Sequence, residues 1–115
     1  MEDVIKSKVG DVRIANEVVL AIAGLAATEV KGVFAVGTSV KHDMITRSGL
    51  KELPKCIKIQ GAGNKVSIKI DVTLDGTVPI QTVCTNVMEK VTNALTSMTG
   101  KEVLSVDVTV VGVTA

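Results

Sequence analysis

The chain has 115 residues, enough for one domain that builds its own core without disulfide or metal staples. Apolar residues make up 46% and charged residues 22%, which excludes a disordered chain. With 13 basic and 12 acidic residues the net charge is +1, so nothing electrostatic draws it to nucleic acid or to an anionic membrane surface. Phe34 is the only aromatic residue, which disfavours a base-stacking platform and leaves Val, Ile, Leu, Ala and Met to fill the core.

Residues 1–9 mix charges around Val4 and Ile5 and read as a loose lead-in or a short edge strand. Gly10 to Ile14 follows as a brief strand with Val12 and Ile14 on one side. Asn16 is placed to cap a helix running to about Val30, with Glu17 near the positive end of its dipole. Val18 to Ala27 is apolar almost all round, Gly24 included, so this helix is expected to be buried on more than one side. One side faces the sheet. The other can meet a loop, the second helix or another copy of the molecule, and a neighbouring helix within the fold is favoured. At ten residues the run is too short to span a bilayer, which takes about 20. The charged N-terminus does not read as a signal peptide.

Gly32 is expected to close the helix, and Val33 to Gly37 forms a short strand. Thr38 to Pro54 is irregular and reads as a loop with a short helical turn. It holds the only histidine, His42, beside Asp43 and near Arg47. An acid–base pair would need a positioning group and a nucleophile in reach. The sequence offers neither, so a solvated polar loop is the better reading and no catalytic residue is assigned.

From Ile57 the period is two. Ile57 and Ile59, then Val66, Ile68, Ile70, Val72 and Leu74, alternate with polar residues around a turn at Gly61 to Lys65. This is an antiparallel hairpin with one apolar and one polar face. The turn glycines are not a phosphate cradle, because no later glycine, no Gly-Lys-Ser/Thr and no helix follows them. Asp75-Gly76 turns the chain towards Pro79, which suits a first helical turn. Ile80, Val83, Cys84, Val87, Met88, Val91, Ala94, Leu95 and Met98 then recur at steps of three and four, up to a stop at Gly100. Leu104, Val106, Val108 and Val110 face one way on a last strand, opposite Ser105, Asp107 and Thr109.

These elements predict one α+β domain over residues 1–115: a two-layer sandwich with two helices on one face of a mixed β-sheet, in the order β-α-β-β-β-α-β. The other sheet face is polar and open. It carries Lys58, Lys69, Asp71, Thr73, Asp107 and Thr109, which with His42 and Arg47 of the loop form the candidate interaction surface. Ion pairs across the strands are the default expectation for its charges. Cys56 and Cys84 lie 28 positions apart without metal or redox spacing and read as small buried hydrophobes. No metal and no cofactor is expected. A KH-type RNA module would need a basic-flanked Gly-x-x-Gly loop between helices, and there is none.

Met98-Thr99-Gly100, the Val-rich run from Val103 to Val111 and the Gly112-Val113 close resemble the ending of the alkaline shock protein family of Gram-positive bacteria. Ile14-Ala15-Asn16-Glu17-Val18-Val19, Ile22-Ala23 and Glu29-Val30-Lys31-Gly32-Val33 resemble that family's first helix and its exit. The resemblance spans about residues 10 to 113. It departs at Leu74-Asp75-Gly76, where the family often has Tyr-Gly, and the sequence stops right after the Gly-Val close, so no interaction tail is expected. The resemblance implies a small, non-enzymatic, cytoplasmic protein linked to envelope or alkaline stress. It also implies association with other proteins, including a membrane-anchored partner or further copies of itself. The leading expectation is therefore a self-associating protein–protein interaction module of the cell envelope. An accessory subunit of a metabolic enzyme, contacting it through residues 38–54, is the alternative, and an RNA-binding module the weaker one.

Overall fold

The computed structural model describes residues 2–7, 10–38, 40, 41, 45 and 53–114. The strands are β1 (Glu2–Ser7), β2 (Gly10–Ala15), β3 (Val33–Val36), β4 (Ile57–Ala62), β5 (Lys65–Leu74) and β6 (Glu102–Val113). The helices are α1 (Asn16–Thr28), the short α2 (Leu53–Cys56) and α3 (Ile80–Thr99). The expected two-layer α+β architecture is present, with α1 and α3 packed on a four-stranded mixed sheet.

β5, the strand with the longest clean alternation, is the centre of that sheet. Val66, Ile68, Ile70, Val72 and Leu74 are all fully buried beneath the helices. Burying one such side chain stabilises the fold by roughly 1.5–3 kcal/mol, so β5 dominates the core. One edge of β5 takes two antiparallel partners in succession: β4 along residues 65–70 and β3 along residues 72–74. The other edge takes β6, parallel, along the whole length of β5. A parallel partner needs a crossover, and α3 supplies it.

α3 buries a single row, Val83, Val87, Val91, Leu95 and Thr99, at steps of four. The stripe is thus narrower than its spacing suggested: Ile80, Met88 and Met98 are exposed. Pro79 takes the N-cap position, one residue before the first turn. Gly100 is left-handed at φ 72, and its N–H donates to the Thr96 carbonyl at 3.1 Å, as the predicted stop requires.

α1 is covered on two sides. It packs on α3, the partner favoured from sequence, and the segment after β3 covers Gly24. A Cβ at Gly24 would lie 3.0 Å from Leu53 Cδ2 and 3.1 Å from Ile45 Cδ1, so the loop reading for that second side also holds. The start of α1 differs from expectation. Ala15, not Asn16, is the N-cap, and no side chain caps the helix. β2 runs straight into the first turn in extended geometry, which carries Asn16 into the helix with its Oδ1 buried and unpaired.

Two further departures concern pairing. β1 and β2 form an antiparallel hairpin of their own, so the first strand is no member of the main sheet. Leu104 does not face the core with Val106, Val108 and Val110. The β5–β6 register shifts between Val66 and Ser67, opposite Val103 and Ser105, which leaves Leu104 as the extra residue of a bulge at 58% exposure. A second shift leaves Val111 as the extra residue between Val110 and Gly112.

Candidate interaction surfaces

The face of the sheet away from the helices carries the polar residues singled out from sequence. Period two puts Lys58, Lys69 and Asp107 on it, and the register sets them in one row across β4, β5 and β6. Two lysines directly opposite one another repel. Lys58 relieves this by donating from Nζ to the Pro54 carbonyl at 2.8 Å, while Asp107 flanks Lys69 on the other side. Among the described residues no ion pair within 4.0 Å joins Lys58, Lys69, Asp71 and Asp107, so the expected cross-strand pairs are not formed.

Asp71 and Thr109 stand opposite each other in an adjoining row. Beside them opens a cavity of ≈ 290 Å³ lined by Asp71, Lys55, Cys56, Val40 and Val111. Thr73 is drawn out of this surface. It is 7% exposed, and its hydroxyl donates to the Gly37 carbonyl at 2.7 Å. The Gly37 N–H donates in turn to the Asp71 carbonyl at 2.6 Å. Gly37 has φ 63, and a Cβ there would collide with Cys56 Sγ. Thr73 therefore ties β3 to β5 and offers no free hydroxyl. His42 and Arg47 lie outside the described residues.

A second surface lies between the two long helices. Ile22, Leu25 and Ala26 of α1 face Ala94 and Met98 of α3 across a groove of ≈ 270 Å³. Met98 is 69% exposed. Glu29 and Lys90 close one end as an ion pair at 4.0 Å, both half exposed. Such a pair contributes at most about 1 kcal/mol and mainly sets the polar border of the groove. The sequence showed these residues only as parts of two separate stripes; the groove exists because α1 and α3 pack side by side. Sequence reading also missed Lys101, which the turn after Gly100 carries into full burial.

The chemistry within reach is limited. Among the described residues no three His, Cys, Asp or Glu side chains come together as a metal site. The two thiols are both partly buried and unbridged. Burial pushes the Cys84 thiol above its usual range. Its thiolate is disfavoured in the folded protein, so the associated stabilisation is fully present below the ordinary thiol pKa and is lost as pH rises through the folded value. Alkylation of Cys84 by iodoacetamide at pH 8 is expected to run slower than that of an unstructured cysteine peptide, the gap narrowing as pH rises. Equal rates at pH 8 would contradict the burial.

The sequence profile of the alkaline shock protein 23 family, described by its cell envelope-related function, matches residues 4–115. The chain belongs to that family. The chain is similar to the uncharacterized protein YqhY of Bacillus subtilis strain 168, 30% identical over 104 residues, which span 90% of this chain and 77% of that protein. Among solved structures, a MamM CTD variant superposes with a TM-score of 0.53 at 15% identity, covering 85% of this chain and 98% of that one. Another MamM CTD variant, in a copper form, gives the same TM-score, identity and coverage. At such identity the likeness is one of fold. Family membership supplies the cell-envelope connection, and no described helix is long and apolar enough to cross a membrane.

Proposed function

We propose that this domain is a non-catalytic protein–protein interaction module of the cell envelope and its stress response, and that it self-associates. The observation that carries the reading is the groove between α1 and α3, lined by apolar side chains and left open on the outer side of the helix layer. Apolar surface of that kind gains free energy when a partner removes it from water. The polar sheet face supplies the second contact area, with Lys58, Lys69, Asp71, Asp107 and Thr109 exposed or half exposed and held on rigid strands. Charges placed this way steer and select a partner more than they tighten it. A cytoplasmic position held near the membrane by an anchored protein fits both surfaces, and no residue has to enter the bilayer.

Light scattering coupled to size-exclusion chromatography tests self-association. A dimer or larger species at micromolar concentration is expected; a strict monomer at high concentration overturns it. A fluorescent fusion is expected at the cell periphery and to disperse in the charge-reversed variant K58E/K69E. A uniform signal for the unmodified protein would sink the envelope reading.

A further inference from the structure

We infer that two copies of this chain associate through β6, pairing antiparallel edge to edge so that their sheets become one. This rests on the self-association just proposed and names the surface that performs it.

β6 is an edge strand of 12 residues, and among the described residues it pairs only with β5. No described strand meets the row of backbone donors and acceptors on its far side. Proteins usually blunt such an edge with lysine, proline, shortness or bulges. β6 is long and has no lysine, arginine or proline between Glu102 and Val113. Its two bulges lie near its ends, at Leu104 and Val111, and leave a regular run from Ser105 to Val110 between them. The helix layer covers this strand only in part: Val106 is buried, whereas Val103, Val108 and Val110 pack on the core side but are only partly buried.

The pattern of β6 fits its own copy. In an antiparallel pair, directly opposed residues share a face. Keeping the valines on the helix side restricts the two-fold axis to a few positions. An axis at Val108 sets Val106 against the partner's Val110 and Val108 against its own copy, three valine pairs within the regular run. It also sets Asp107 against Thr109 on the polar face. An axis one residue earlier would oppose Asp107 to itself, and like charges directly opposite are unfavourable. Charge and packing thus select the axis at Val108, with both helix layers on the same side of an eight-stranded sheet.

The same axis opposes Ser105 to the partner's Val111, both of them exposed. S105K/V111K places lysines opposite each other on both sides of the axis; S105K/V111E replaces each of those contacts by an opposite-charge pair. Light scattering is expected to show a dimer for the unmodified protein, loss of the dimer in S105K/V111K and its return in S105K/V111E, with circular dichroism confirming the fold of each. A monomeric unmodified protein would overturn self-association itself. A dimer that persists in S105K/V111K would leave self-association standing and remove β6 from it. A folded S105K/V111E that stays monomeric would overturn the pairing at Val108.

Discussion

Replacing Gly61 by alanine is expected to destabilise the domain by about 3 kcal/mol or more, read as a lowered urea midpoint with an unchanged slope. Gly61 has φ 152, a conformation that side-chain-bearing residues rarely adopt, and a Cβ there would run into the Lys65 carbonyl oxygen and lie 2.9 Å from Val66 Cα. These are backbone atoms of the paired strand, so they yield only if β4 and β5 part. The turn expected at Gly61 to Lys65 is only Gly63 and Asn64, because Gly61 and Ala62 pair with Val66 and Lys65 as the end of β4, and Gly63 is the control. Its φ of 61 is also left-handed, but nothing lies within 4 Å of a Cβ placed there. Gly63→Ala is expected to cost about 1 kcal/mol, the conformational strain alone. Equal losses in the two variants would show that the hairpin is not packed as described.

The second large effect separates the two faces of the sheet. Ile70→Ala removes a fully buried side chain from the central strand and is expected to cost about 2–5 kcal/mol, cavity included. Leu104→Ala is expected to change stability by no more than about 0.5 kcal/mol, because the bulge turns Leu104 into solvent. From alternation alone the two residues are equivalent core positions. Comparable costs in chemical denaturation would mean that Leu104 faces inward and that the register shift is wrong.

This pair marks where sequence reasoning stops. A period of two in β5 and of 3.6 in α3, with a glycine after the helix, are local properties, and the layers follow from them. A bulge depends on the residue count of the neighbouring strand, so Leu104 looked like one more member of an unbroken alternation. The β1–β2 hairpin escaped for another reason: with Val4 and Ile5 adjacent, Glu2 to Ser7 shows no alternation to read. The helical spacing from Pro79 to Met98 was visible, but the exposure of Ile80, Met88 and Met98 was not, since it depends on how far α1 extends beside α3. The surfaces divide in the same way. Period two places Lys58, Lys69 and Asp107 on one face, and only the register makes them a single row. Thr73 looked like its neighbours; its hydroxyl is taken up by Gly37, 36 residues earlier in the chain.

The parallel attachment of β6 sets the timing of synthesis as well as the shape of the sheet. β5 leaves the ribosome well before β6, because the 20 residues of α3 come between them. Until β6 emerges, a full edge of the central strand, whose five apolar side chains fill the core, is bare while the hairpin with β4 is already complete. Non-local parallel pairing forms slowly, and a waiting strand of that kind is an aggregation hazard. A nascent chain paused within α3, or a transcript truncated there, would thus present β5 as a sticky edge, and the cell's chaperones would meet this protein first through that strand.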